Sequence, residues 1–213
     1  MTSDYILFST LWVLWCVIHS WLITPKVTAY FRQVMQTSYR FYRIAYNLFS
    51  IVTFLLLILF KPFHNEAILF SWQGSWQIIR YAFLATSLLI FFYGAKNYDM
   101  FQFLGIRQLT SNSHTPAISR TGELSFSGLL KFSRHPWYLA GIIFIWTLYS
   151  DFPLSRFISC AVLTIYFMVG TVLEERKLTA EYGDQYKKYQ QQVSMLVPMK
   201  YFFSLFKKEN KKG

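Results

Sequence analysis

Arg134-His135-Pro136-Trp137-Tyr138 leads into an apolar run over residues 137–149; a second apolar run covers 153–173 and ends on Glu174-Glu175. Only a few residues around Asp151 join the two. Read as helices in lipid, they form a hairpin that returns the chain to the membrane face it left. The basic, imidazole-bearing start and the acidic finish then meet at one interface. This predicts a polar site at the edge of a lipid-embedded helical bundle.

Composition supports the same reading. Of 213 residues, 54% are hydrophobic and 21% aromatic, and an apolar run of roughly 18 residues or more reads as a membrane span. Such stretches fall at about 5–23, 41–60, 78–95, 137–149 and 153–173, with an amphipathic segment from Glu174 to about Val193 and a lysine-rich end. The pattern predicts an all-α polytopic membrane bundle of about five transmembrane helices, with a C-terminal amphipathic segment, in one domain over 1–213. A closed barrel also satisfies its backbone in lipid, but these runs lack the alternation a barrel needs. The run 137–149 is too short alone, so it has to extend back through Arg134-His135 or tilt. The first run lacks the basic flank and cleavage site of a signal peptide and reads as a span that stays in place.

The net charge of +11 raises the question of nucleic acid, and the distribution of charge answers it. Lys61, Arg80 and Arg156 fall on one face and every other Lys and Arg on the opposite one. The positive-inside rule then predicts an integral membrane protein with its N-terminus outside, and with the long third loop (96–133) and the C-terminus in the cytoplasm; a bacterial inner membrane is the expected location. Asn112, Ser113, Pro116 and Gly122 supply turns in that loop. The bilayer, not a nucleic acid, is the expected partner. Cys16 and Cys160 lie in apolar runs and read as buried small hydrophobes. His19, His64, His114 and His135 are far apart, and no CxxC or HExxH occurs, so no metal site is expected. No small-xxx-small face stands out, which leaves the oligomeric state open.

Proline is favoured in the first helical turn, so Pro136 marks a helix entrance with free N–H groups and a positive dipole end. His135 stands at that entrance, with Tyr138 and Gly141 one turn inward. Glycine there permits close approach of a helix or a ligand. A snorkelling arginine, an aromatic belt and a packing glycine would give the same composition. Glu174-Glu175 opposes the helix dipole; it reads as solvated charge, as the holder of a cationic ligand, or as the partner of Arg134. Tyr186, Tyr189 and Val193 share one helical face, which packs on the protein body or closes over a cofactor. His19, near the end of the first span, either packs against a neighbouring helix or is functional, as ionisable groups in spans are by default.

In order and spacing, Arg134-His135-Pro136-x-Tyr138-x-x-Gly141, the apolar hairpin, Glu174-Glu175-x-x-Leu178, Tyr182-Gly183-x-x-Tyr186-x-x-Tyr189-x-x-x-Val193 and Pro198 resemble the integral-membrane methyltransferases. That group includes isoprenylcysteine carboxyl methyltransferase and the phospholipid methyltransferases. Asp99-Met100-Phe101 and Phe103-Leu104-Gly105-Ile106-Arg107-Gln108, with His19-Ser20 and Tyr42-Arg43-x-x-Tyr46-Asn47, are similar to bacterial methanethiol S-methyltransferases. The resemblance implies S-adenosyl-L-methionine bound between the hairpin and the C-terminal segment, mainly within 96–200, without a Rossmann domain. It implies cofactor contacts from Arg134, His135, Pro136, Tyr138, Gly141, Glu174, Glu175, Tyr186 and Tyr189, with Arg107 or Arg134 on the cofactor's carboxylate. His135, Glu174 and His19 are the implied catalytic candidates, and the identity of the base stays open among them. The implied acceptor is a small or lipophilic thiol such as methanethiol. The isoprenylcysteine enzymes place an arginine about one turn before the glutamate pair, where this chain has Met168-Val169-Gly170-Thr171. A buried carboxylate without a cation is costly, which counts against a carboxyl acceptor. Carboxyl methylation of a prenylcysteine and N-methylation of a phospholipid remain as alternatives. NADPH-dependent reduction of the sterol type, by longer enzymes with a similar RHPxY and glutamate pattern, is the remote one.

Overall fold

The structure, a computed structural model, describes residues 2–60, 63, 65–95, 99–110 and 128–209. Lys61-Pro62, His64, His114 and the turn formers at 112, 113, 116 and 122 lie outside the described residues, as does the end of the lysine-rich tail. In chain order the elements are α1 (Thr2–Leu22), α2 (Pro25–Met35), a 3-10 stretch (Gln36–Phe41), α3 (Tyr42–Leu59), β1 (Ile68–Ser71) and α4 (Trp76–Ala95). Then come α5 (Met100–Leu104), α6 (Ile106–Thr110), a 3-10 turn (Gly128–Lys131), α7 (Pro136–Thr147), β2 (Asp151–Pro153), α8 (Leu154–Gln192) and α9 (Met199–Glu209).

The chain is an all-α polytopic bundle. Among the described residues, four stretches are long and apolar enough to cross a membrane: α1, α2 with α3, α4, and α8. Their outward faces carry Ile6, Val17, Leu55, Leu59, Ile78 and Val169, all exposed. Apolar patches of this extent mark a surface that water does not cover. The remaining expected span is α7, with 12 residues, or about 18 Å of rise against a hydrocarbon core of about 30 Å. It does not extend back through Arg134-His135, because Pro136 occupies its first turn.

The structure adds to the sequence reading at several points: within the expected loop at 96–133, α5, α6 and a 3-10 turn form. The basic stretch after the first span, which lies between two apolar runs in the sequence, is helical from Pro25, whose fixed φ suits a first helical turn. The helix expected to end at Glu174-Glu175 continues through them: Arg176, Lys177 and Leu178 are good helix formers, and the first non-helical residue is Gly183.

The described residues group into two compact units. The first holds α1–α3, β1, α5, α6, β2 and the start of α8. There Glu66 accepts from the Ser155 amide at 2.9 Å and the Ser155 hydroxyl at 2.5 Å, satisfying the open N-terminus of α8. β1 and β2 pair antiparallel, with Ser71 opposite Asp151. Asn47 donates to the Phe103 and Leu104 carbonyls at 3.2 and 3.0 Å, and Arg43 donates to Phe103 at 3.1 Å. The next residue, Gly105, has φ +91, and a Cβ there would lie 3.0 Å from the Ile44 backbone nitrogen.

The second unit holds α4, α7, α8 from Thr164 and α9. Here α7 runs antiparallel to α8. Trp146 donates to the Thr164 hydroxyl at 2.9 Å, Gly141 faces the Phe167 ring, and Gly170 faces the Tyr138 ring. Each glycine thus makes room for an aromatic residue of the other helix. At the far end of α7, buried Arg80 donates to the Thr147 and Leu148 carbonyls at 3.2 and 3.4 Å. A cation is well placed at a helix C-terminus.

Gly105→Ala combines left-handed strain with a backbone clash, so it should destabilise the protein by about 1–3 kcal/mol. A melt in detergent should show Tm lower by several degrees, and a wild-type melt would remove Gly105 from the scaffold.

Candidate active site

Before α7 the chain is extended and docks on the C-terminal segment. The Arg134 amide donates to Ser194 at 3.0 Å and the His135 amide to Met195 at 3.1 Å, with Ser133 and Ser194 forming a bridge. Tyr189 anchors the same strip by donating to the Leu130 carbonyl at 2.6 Å. Proline at the head of α7 thus leaves His135 held by its backbone, with a φ of −128.

The carboxylates come from α8. At 39 residues a straight α8 would measure about 58 Å, nearly twice the hydrocarbon thickness. Its apolar part ends at Leu173, so Glu174 and the residues after it stand outside the hydrocarbon. A straight helix would also place Gln190 about 22 Å from Glu175 along the axis. Their side chains instead meet at 2.6 Å. Gly183, at φ 54 and ψ −128, supplies the turn; L side chains rarely adopt that conformation.

Glu175 is the hub. Its Oε1 accepts from Arg134 Nε at 2.9 Å, His135 Nε2 at 2.6 Å and the Tyr186 hydroxyl at 2.7 Å. Its Oε2 accepts from Arg134 Nη2 at 2.8 Å and Gln190 Nε2 at 2.6 Å. Arg134 and Glu175 form a bidentate fork, the strongest geometry for such a pair, with both side chains about nine-tenths buried. The remaining guanidinium nitrogen, Nη1, donates to the Gln190 and Val193 carbonyls. Burial raises the Glu175 carboxyl, but the hydrogen bonds from Arg134, Tyr186, Gln190 and His135 outweigh it and hold the group at about 2. Burial, reinforced by the bond to that carboxylate, pushes the Tyr186 phenol up, so it remains a donor.

His135 lies between two unequal carboxylates. An ionised Glu175 can only accept, so the 2.6 Å contact assigns an N–H to Nε2. Nδ1, the other ring nitrogen, faces Glu174 Oε2 at 3.6 Å. Glu174 is the more exposed of the two, at 24% against 10%. The Tyr138 ring packs edge-on against the imidazole, with centroids 5.7 Å apart. Beside Glu175 opens a groove of about 530 Å³ lined by Val172, Arg176, Ala180, Lys187, Gln190 and Met195, among others.

Arg134, His135, Glu174, Glu175 and Tyr186 are therefore brought into one network. Pro136, Tyr138 and Gly141 frame it along α7, and Tyr189 braces it through Leu130. Two sequence candidates belong to the other unit. His19 bonds Ser50 at 3.0 Å and Tyr46 at 2.9 Å, stacked on Trp15, and Arg107 pairs with Asp99 at 3.0 Å. Gln190 escaped the sequence reading. It stands four residues after Tyr186, on the same helical face, and that spacing is the signal that points to it.

The fold and the site define a polytopic helical membrane protein with a buried Arg–His–Glu centre. The chain is 38% identical over 102 residues to methanethiol S-methyltransferase 1 of Bradyrhizobium diazoefficiens, covering 46% of this chain and 34% of that protein. It is 31% identical over 98 residues to methanethiol S-methyltransferase of Pseudomonas deceptionensis (46% and 37%). It is 29% identical over 126 residues to that of Crocosphaera subtropica (57% and 47%). No family model and no solved structure matches. The chain is thus related in sequence to the bacterial methanethiol S-methyltransferases and spans between a third and a half of the length of these relatives.

Removing one partner of a buried ion pair costs about 3–5 kcal/mol. Glu175→Ala should therefore lower Tm by on the order of 10 °C, and Gln190→Ala by less. Because the folded Glu175 carboxyl is depressed, its contribution is complete above the ordinary carboxylate range and is lost as pH falls toward 2. Melts between pH 7 and pH 3 should show an acid-sensitive limb that Glu175→Gln flattens. An unchanged limb in that variant would assign the acid sensitivity to other groups.

Proposed function

We propose that this chain is an S-adenosyl-L-methionine-dependent membrane methyltransferase that methylates the sulfur of a small or lipophilic thiol. Methanethiol, which would give dimethyl sulfide, is the acceptor suggested by the names of its relatives. The observation that carries the reading is His135, fixed at Nε2 by a spent carboxylate and facing a second, partly exposed one through Nδ1.

The groove beside Glu175 fits the cofactor chemically. Arg176 and Lys187 offer cations for an amino-acid carboxylate, Thr179 and Gln190 polar groups for hydrogen bonds, and Val172, Ala180 and Met195 an apolar wall. When bound, the cofactor supplies an electrophilic methyl group on a sulfonium sulfur. The chain's own residues prepare the acceptor. Arg134, Tyr186 and Gln190 immobilise Glu175, which sets the His135 tautomer. Nδ1 takes the thiol proton, and Glu174 steadies the resulting imidazolium. The thiolate so formed is the nucleophile. Met168-Val169-Gly170-Thr171 carries no charge, which suits a thiol better than a carboxylate acceptor. On this reading the site opens to the cytoplasm from an inner membrane, with the N-terminus outside, as the charge distribution favours.

The test is binding of S-adenosyl-L-methionine against NADPH by protein purified in detergent. Labelled methyl transfer to methanethiol, hydrogen sulfide, a prenylcysteine and phosphatidylethanolamine then sorts the acceptors. We expect cofactor binding, dimethyl sulfide from methanethiol, and a rate about 10²–10⁴-fold lower for His135→Ala. NADPH binding without S-adenosyl-L-methionine binding would overturn the proposal, and methylation of the prenylcysteine alone would overturn the thiol acceptor.

A further inference from the structure

Helix α2 has no buried residue. A helix of 11 residues is marginal in water on its own, and its contacts within the chain leave every residue exposed or only partly buried, so a further surface has room to stabilise it. Its residues divide cleanly around the axis at 100° per residue. Val27, Tyr30, Phe31, Val34 and Met35 form one face, and Lys26, Thr28, Arg32 and Gln33 the other. Phe31 leans on Tyr42, with ring centroids 5.1 Å apart. Tyr30 and Val34 project from the apolar face and are each 61% exposed.

Chain position says what covers that face. Helix α2 follows the apolar helix α1 after only Ile23 and Thr24. Gln36, at φ 46 and ψ −115, breaks it before the apolar helix α3 begins at Tyr42. A segment tied at both ends to membrane-crossing helices is held at the bilayer surface. Lys26, Arg32 and Arg40 are exposed along or just beyond its polar edge, and no acidic residue occurs from Tyr5 to Asn65. An amphipathic helix with basic and aromatic residues lies in the headgroup plane and is drawn to anionic lipid.

We infer that α2 is an interfacial helix that docks on anionic phospholipid, burying Tyr30 and Val34 among acyl chains with Lys26 and Arg32 on headgroup phosphates. Each basic residue near such a surface contributes about fivefold. The test is hydrogen–deuterium exchange of the whole protein in nanodiscs of phosphatidylcholine alone and of phosphatidylcholine with phosphatidylglycerol. Amides of residues 28–35 should exchange about tenfold or more slowly in the anionic discs, and the gain should shrink in 0.5 M salt as charge is screened. Lys26→Glu with Arg32→Glu should lose the gain while α4 and α7 keep their protection. Equal exchange of wild-type α2 in both lipids would overturn the inference without any variant. Protection in detergent that grows with protein concentration would do the same, because a second protein surface would then cover the helix.

Discussion

The forked pair between Arg134 and Glu175 is the interaction on which the rest of the second unit depends. Two charges about nine-tenths buried are tolerable only when every remaining donor and acceptor finds a partner. That requirement recruits three separate pieces of chain. The extended strip before α7 brings Arg134 and His135, the middle of α8 brings Glu175, and the segment beyond Gly183 brings Tyr186, Gln190 and the Val193 carbonyl. None of the three can move without leaving a buried charge unsatisfied. The network therefore holds the polar rim of the α7–α8 hairpin together as well as orienting the imidazole.

The backbone break at Gly183 follows from the same demand. Eleven residues separate Glu175 from Tyr186, about 16 Å along a helix, which is beyond the joint reach of the two side chains. Only a reversal lets the tyrosine stripe face the carboxylate it follows. Lys200 secures the returning end by donating to the Gln190 and Gln191 carbonyls at 2.6 and 3.0 Å. Those are the groups that a terminating helix leaves open.

This explains what could be read in advance. The hairpin was legible because two apolar runs and a short link leave few arrangements, and because Pro136 and the glutamate pair mark its ends. Tyr186 and Tyr189 were legible from helical spacing, which survives in the short segment after the break. Gln190 was marked only by its i+4 spacing from Tyr186, and the carbonyls of residues 193–195 were not marked at all, since their role depends on a turn whose only trace in sequence is one glycine. The end of the apolar helix was misplaced because Glu174-Glu175 looks like a stop by charge, whereas their neighbours favour helix and the backbone continues. The stretches at 42–47 and 99–108 resembled the same group of proteins separately. Their meeting, with Arg43 and Asn47 on the carbonyls before Gly105, is a long-range fact that neither stretch contains.

Adjacent carboxylates at one helix position in the chain have been given different work by geometry alone. Glu175 points into the network, accepts five hydrogen bonds and is held at about 2, so it stays a carboxylate near neutrality. Glu174 points to the exposed side of the same imidazole and keeps a looser contact. A proton moving onto Nδ1 would therefore change the balance of charge on the Glu174 side while the Glu175 side stays fixed. Two carboxylates with divided roles around one histidine thus fix the ring through Nε2 on the buried side and leave Nδ1 facing a more exposed group on the other, an asymmetry that comes from geometry and not from residue type.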